Sequence, residues 1–218
     1  MSKNVSVIGK IGISLVSGSL IVGAGVASAA EFDVTAEVQN TLALNVIQPM
    51  SLGTLFINAA PDSGIGSLVL SPRGGIAPGV TTVPIKSLGG QSAARASVAT
   101  DQPFKVTVPT ATFLASGWSA AADVTSVADI VELRLGGAAG NPSVARLYLA
   151  NFTVGDITGG AETGGPAAAG TVVNITPSFG VADVSFGIGA EIFTDDSAAR
   201  DQYQNGTYEG TFAVTAEF

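Results

Sequence analysis

The chain contains neither histidine nor cysteine, and this absence removes the most common catalytic and metal-binding groups. Ser-His-Asp and Cys-His nucleophiles cannot be built from it, and neither can the usual zinc sites. Glycosidase chemistry needs only two carboxylates about 5–10 Å apart, and the chain carries 17 acidic residues. Because no pattern places two of them in one cleft, we predict that the protein is not an enzyme and uses no cofactor.

Three acidic residues lie close together in one polar segment near the end of the chain. Asp195, Asp196 and Asp201 carry the oxygen ligands that calcium prefers, and extracellular β proteins use such loops. Their spacing differs from that of an EF-hand, and a solvated acidic loop explains them more simply. We therefore predict no metal site, and these three residues remain only a weak calcium candidate.

The alternation of apolar and polar residues from 31 to 46 is the strongest structural signal in the sequence. The apolar positions are Phe32, Val34, Ala36, Val38, Leu42, Leu44 and Val46. This period of two predicts a half-buried β-strand. At about 3.3 Å per residue the run would be roughly 50 Å long, whereas typical strands span about 17–20 Å. The segment is therefore either broken near Asn40 or shared between two bodies.

Two interpretations of this long segment remain open. A β-bulge at Asn40 would let residues 31–46 pair within their own domain and give a monomer. Alternatively, residues 31–40 fill an open groove in a second copy, a head-to-tail contact that grows into a filament. In the second case the residues of self-assembly are Phe32, Val34, Ala36, Val38, Leu42 and Leu44 on the donated side, and Tyr208, Phe212, Val214 and Phe218 beside the groove.

Residues 1–29 have the features of a secretory signal peptide. Lys3 and Lys10 form a basic beginning, residues 11–26 are uncharged, and Ala27-Ser28-Ala29 is a cleavage motif. We predict a secreted protein, extracellular or on the cell surface after passing the periplasm, whose residues 30–218 form one domain without a transmembrane segment. A membrane anchor is the alternative interpretation, but the glycines and serines in this stretch make it weakly apolar.

The charge of the processed chain restricts its partners. Removing the signal leaves 7 basic and 17 acidic residues, a net charge of −10. This acidity argues against nucleic acid and against anionic membrane surfaces. Without cysteine no disulfide is available, so a hydrophobic core must provide the stability.

Short apolar runs separated by turn residues recur along the chain, with almost no helix signal apart from one turn at 123–129. Phe104, Val106 and Val108 alternate with polar residues, and residues 207–218 alternate in the same way. This pattern predicts an all-β chain, an antiparallel immunoglobulin-like or pilin-like β-sandwich of about nine to eleven short strands. Residues 155–170, rich in glycine and alanine, are predicted to form a mobile loop.

Three sequence motifs resemble those of an exported bacterial family. They are the opening run from Thr35-Ala-Glu-Val-Gln-Asn-Thr-Leu-Ala-Leu through Ser51-Leu-Gly-Thr-Leu, the turn Leu70-Ser-Pro-Arg-Gly-Gly, and the closing run from Asn205, Gly-Thr-Tyr-Glu-Gly-Thr-Phe-Ala-Val-Thr. The family is domain of unknown function 4402, and the resemblance is concentrated at the two ends of the mature chain. It implies an exported pilin-like or immunoglobulin-like sandwich without enzymatic activity. Chaperone–usher pilins commonly carry a disulfide, and this chain departs from them in having none.

These observations predict a structural subunit of a bacterial extracellular filament, pilus or surface matrix, assembled by β-strand complementation. The alternative is a monomeric secreted or surface module that binds a carbohydrate or a protein in adhesion. Trp118, Tyr148, Tyr203 and Tyr208 are the aromatic side chains that such a module would use for a sugar. They are scattered in sequence, so packing is the simpler explanation for them.

Overall fold

The computed structural model of the protein describes residues 42–58, 64–81, 84–111, 130–137, 140–162, 172–197 and 199–218. Within these ranges the chain is almost entirely β-structure, which confirms the predicted all-β, antiparallel, sandwich-like class. Residues 31–41, Trp118 and the turn predicted at 123–129 lie outside the described residues.

Sixteen strands are present in the described ranges, more than the nine to eleven expected, because several expected strands are divided into short segments. They are β1 (Leu44–Gln48), β2 (Ser51–Leu52), β3 (Leu55–Ile57), β4 (Gly66–Leu70), β5 (Ile76–Thr81), β6 (Ile85–Ser87), β7 (Gln91–Ser92), β8 (Ala94–Ala99), β9 (Phe104–Thr107), β10 (Val131–Leu135), β11 (Leu147–Thr158), β12 (Gly160–Glu162), β13 (Val173–Pro177), β14 (Asp183–Thr194), β15 (Tyr208–Glu209) and β16 (Thr215–Glu217).

The larger sheet has the strand order β1-β8-β14-β11-β10-β15, and β4 and β5 extend it from β14. Its centre is the antiparallel pair of β11 and β14, each 12 residues long. One edge of β14 is shared, because residues 183–188 pair with β8 and residues 190–193 pair with β4. The long central strands therefore hold together elements that are far apart in sequence.

The smaller sheet has the order β12-β13-β9-β16 and contributes its apolar side chains to a core shared with the larger sheet. Phe104, Val106 and Ile175 of the smaller sheet are almost completely buried, as are Phe152 and Phe186 of the larger one. Each such side chain stabilises the fold by about 1.5–3 kcal/mol through the apolar surface that it removes from water.

Two expectations about individual strands were wrong. The apolar runs at 181–188 and 190–193, separated by Gly189, predict two strands, but β14 continues through this glycine. A Cβ at Gly189 would lie 2.2 Å from the carbonyl oxygen of Leu70, so glycine permits a close approach between neighbouring backbones. The loop expected at 155–170 is also wrong in its described part, because residues 155–158 continue β11 and residues 160–162 form β12.

The persistence of β11 beyond residue 155 has a local cause. Asp156 has a positive φ of 49°, and the register of β11 against β14 shifts between Gly155 and Thr158. The Asp156 carboxylate accepts a 2.5 Å hydrogen bond from Arg95 and lies 3.5 Å from Arg73. The hydrogen bond from Arg95 is the main cause that lowers the pKa of Asp156. A β-bulge whose Asp156 carboxylate contacts the side chains of Arg95 and Arg73 thus takes the place of the expected loop.

Candidate functional site

A groove of about 900 Å³ opens onto the inner face of the larger sheet. Its floor consists of apolar side chains from four adjacent strands of that sheet. They are Leu133, Leu147, Leu149, Ile188, Ala94 and Ala96. None of the lining residues within the described ranges belongs to a strand of the smaller sheet. Residues 48–57 and 203–214, rather than a strand of the smaller sheet, therefore cover this part of the larger sheet.

One wall of the groove is residues 203–214, which precede the last strand. In this part of the chain, β15 pairs with β10 of the larger sheet, and β16 then pairs with β9 of the smaller sheet. The chain therefore crosses from one sheet to the other. Between these pairings, residues 210–214 make no backbone hydrogen bond to any residue that the structure describes. Phe212 and Val214 are nevertheless half-buried and pack against the core. This wall combines inward apolar side chains with an unpaired backbone.

The other wall is residues 48–57, from the last residue of β1 to the end of β3. In the described structure β2 pairs only with β7, and β3 pairs only with β6, so each has one free edge. Val46 of β1 is 67% exposed and Phe56 is 51% exposed, and both line the groove. Exposed apolar side chains beside free strand edges form the type of surface to which an added strand binds.

A buried ion pair anchors the segment that leads into the C-terminal wall. The Asp195 side chain is completely buried and pairs with the guanidinium of Arg200. It also accepts hydrogen bonds of 2.9 Å from the backbone N–H groups of Arg146 and Ser197. Arg200 also contacts the hydroxyl of Tyr148, which is itself fully buried. These contacts fix residues 195–200 against the larger sheet.

Tyr203 and Tyr208 extend this anchor into the groove. The Tyr203 hydroxyl accepts the backbone N–H of Asp195 and donates to the carbonyl of Arg146 at 3.1 Å. Its ring lies 6.3 Å from the ring of Tyr208. The Tyr208 hydroxyl in turn contacts the backbone of Gln204, with distances of 3.2 Å to its nitrogen and 3.3 Å to its oxygen. The first half of the wall is therefore held by hydrogen bonds, in contrast to residues 210–214.

The buried tyrosines predict a loss of stability at alkaline pH. Burial raises the pKa of Tyr148 to about 12 and also raises the pKa of Tyr203. The unfolded chain releases these protons near pH 10, so the stabilisation is complete below about pH 10 and decreases as the pH rises towards 12. Urea unfolding at several alkaline pH values should show this decrease, and Tyr148→Phe should make it smaller. A free energy of unfolding that stays constant above about pH 10 would contradict the raised pKa values of the two tyrosines.

The structure places the calcium candidates in different surroundings. Asp195 is buried and paired with Arg200, whereas Asp201 is exposed and its backbone bonds to Ser143 and Ala145. In the described part of the chain, no group of three or more acidic residues is close enough to hold a metal ion. Arg200, the counter-charge that decides the role of Asp195, is not recognisable from the sequence pattern.

The residues expected to act in self-assembly fall into three groups. Phe32, Val34, Ala36 and Val38 lie outside the described residues. Leu42 and Leu44 are half-buried against the core, and Leu44 also lines the groove. Tyr208, Phe212 and Val214 lie together in the C-terminal wall, whereas Phe218 packs against the core and is not a lining residue.

Comparison of the chain with protein families, with characterised proteins and with solved structures found no match. Among the described residues there is no helix that is long and apolar enough to cross a membrane. Any statement about function therefore depends on the residues and the geometry of the groove.

Proposed function

We propose that the protein is a secreted structural subunit of an extracellular filament, pilus or surface matrix, in which subunits are joined by β-strand complementation. The observation that supports this proposal is the groove, which combines an apolar floor with free strand edges on its walls. A ligand that is itself a β-strand matches both properties, because it supplies backbone hydrogen bonds and alternate apolar side chains.

Residues 31–40 of a second copy have the pattern that such a groove requires. Their apolar side chains recur every second residue, as Phe212 and Val214 do in the wall. Ten residues at about 3.3 Å each reach roughly 33 Å, longer than the five unpaired residues of the wall. A strand laid along residues 210–214 would give their backbone groups hydrogen-bond partners and place its apolar row on the floor of the groove.

The consequence of such an exchange is polymerisation. Each subunit would offer one strand and one groove, which are different surfaces, so the contact is head-to-tail and does not close. No disulfide can join the subunits, because the chain has no cysteine. Apolar burial and backbone hydrogen bonds would hold the filament together.

The test is negative-stain electron microscopy of purified residues 30–218, with light scattering on the same sample. We expect regular filaments and a scattering mass far above that of one subunit. Deleting residues 30–40 should return the sample to a folded monomer. A wild-type protein that remains monomeric at high concentration, and that binds no added peptide of residues 31–41, would contradict the proposal.

A monomeric binding module is the second candidate, and one observation favours it. The groove also contains the rings of Phe56, Tyr203 and Tyr208 next to the amide side chains of Gln204 and Asn205. Aromatic rings and amides together suit a carbohydrate, because rings cover its apolar face and amides bond its hydroxyl groups. This candidate predicts a monomer that tolerates loss of its first ten mature residues and binds a glycan.

A further inference from the structure

We propose that Asn205 is a site of spontaneous rearrangement to isoaspartate, and that this reaction loosens the C-terminal wall of the groove. Asn205-Gly206 is the single Asn-Gly pair in the sequence. It lies at the bend before β15, and both residues line the groove. The modification itself is independent of the proposed function, and only its effect on strand exchange rests on that function.

The surroundings of Asn205 leave the reacting groups accessible. Both residues are exposed, and within the described part of the chain neither the Asn205 side chain nor the Gly206 N–H makes a hydrogen bond. Gly206 has no Cβ to shield its nitrogen, and it has a φ of +152°. A Cβ there would lie 2.4 Å from Cδ1 of Leu135, so a larger residue would displace that side chain.

The reaction needs only a base and water. After losing its proton to a base, the Gly206 nitrogen attacks Cγ of Asn205. The Cγ–Nδ2 bond breaks, and the leaving nitrogen takes up a proton and departs as ammonia. Water then opens the cyclic imide at one of its two carbonyls. Opening at Cγ gives aspartate, whereas opening at the main-chain carbonyl gives isoaspartate, in which the backbone continues through the former side chain.

No other described asparagine precedes glycine, and three of them serve as internal controls. Asn151 donates its side-chain amide to Glu191 at 2.7 Å. Asn174 is exposed, but it lies inside β13 between two paired strands and precedes a β-branched isoleucine. Asn141 precedes proline, which has no N–H to attack. The structure therefore singles out Asn205.

The product would disturb the wall because the bend is fixed at both ends. On one side, the hydroxyl of Tyr208 accepts a hydrogen bond from the backbone N–H of Gln204. On the other side, the carbonyl of Thr207 accepts one from the N–H of Gly136. Isoaspartate adds one backbone atom and one negative charge between these fixed points. The pairing of β15 with β10, through Glu209 and Arg134, is the contact expected to fail.

The test follows purified wild-type protein and Asn205→Gln during incubation in mildly alkaline buffer. Peptide mapping by mass spectrometry should show complete conversion of Asn205 to aspartate and isoaspartate while Asn174 and Asn151 remain intact. Hydrogen exchange should show loss of protection at residues 208–209 of the aged wild type and not of Asn205→Gln. The Asn205→Asp variant adds the charge without the extra backbone atom, and we expect it to keep its protection.

Two results would overturn the proposal. Asn205 that remains intact, or that converts no faster than Asn174, would show that the bend does not permit the reaction. Unchanged exchange at residues 208–209 after full conversion would show that the wall tolerates isoaspartate. Neither result depends on filaments, so failure of this proposal is distinguishable from failure of the proposed function.

Discussion

Introducing aspartate at Val34 and Val38 together is expected to abolish filaments and to leave a folded monomer. In the proposed assembly these two side chains enter a groove whose lining includes the apolar side chains of Leu147, Leu149 and Ile188. An unpaired carboxylate in such surroundings costs several kcal/mol. A loss of about 3 kcal/mol or more per subunit contact corresponds to a more than hundredfold weaker association.

A matched control separates insertion from simple charge repulsion. Thr35→Asp with Gln39→Asp adds the same two charges to the opposite face of the same segment, and we expect filaments to persist. Electron microscopy and light scattering measure assembly, and circular dichroism checks that each variant is folded. Normal filaments from the Val34 and Val38 variant would refute strand complementation. An equal loss of filaments in both variants would show that the added charge alone prevents assembly.

Replacing Asp195 with alanine is expected to lower the free energy of unfolding by about 3–5 kcal/mol, the cost of removing one partner of a buried ion pair. Arg200, whose side chain is 13% exposed, would lose its counter-charge. The backbone N–H groups of Arg146 and Ser197 would lose their acceptor at the same time. These losses fall on the segment that leads into the C-terminal wall of the groove.

The measurement is thermal or urea unfolding of both the variant and a surface control. For a chain of this size, each 1 kcal/mol corresponds to roughly 2–4 °C, so we expect the melting temperature to fall by roughly 6–20 °C. Asp183→Ala removes an exposed carboxylate at the start of β14 and should change stability by less than about 0.5 kcal/mol. Equal stability of the two variants would show that the buried pair contributes little.

The all-β class and much of the core could be predicted because alternation directly reports burial. Phe104, Val106 and Val108 are buried, whereas Lys105 between them is exposed. The alternation of apolar and polar residues does not show which strand edges are paired with another strand. The pattern of residues 207–218 is continuous in sequence, yet the structure divides it into β15, an unpaired segment and β16. Register and pairing depend on neighbours distant in sequence, which no local pattern encodes.

The groove could be predicted only in part, for the same reason. Tyr208, Phe212 and Val214 were expected together because they share one face of one segment. The opposite wall was not expected, because its position depends on pairing with β6 and β7. Asp195 resembled a solvated acid because its counter-charge, Arg200, is recognisable only in the folded chain.

The unpaired residues 210–214 also affect how long an unfilled subunit persists. Proteases bind their substrates as extended segments and form backbone hydrogen bonds along an accessible edge, and this wall offers such an edge. If the groove accepts a strand as proposed, a subunit with an empty groove would present this edge to a protease, and a subunit with a filled groove would conceal it. Turnover of the protein would then follow its assembly state without any separate degradation signal.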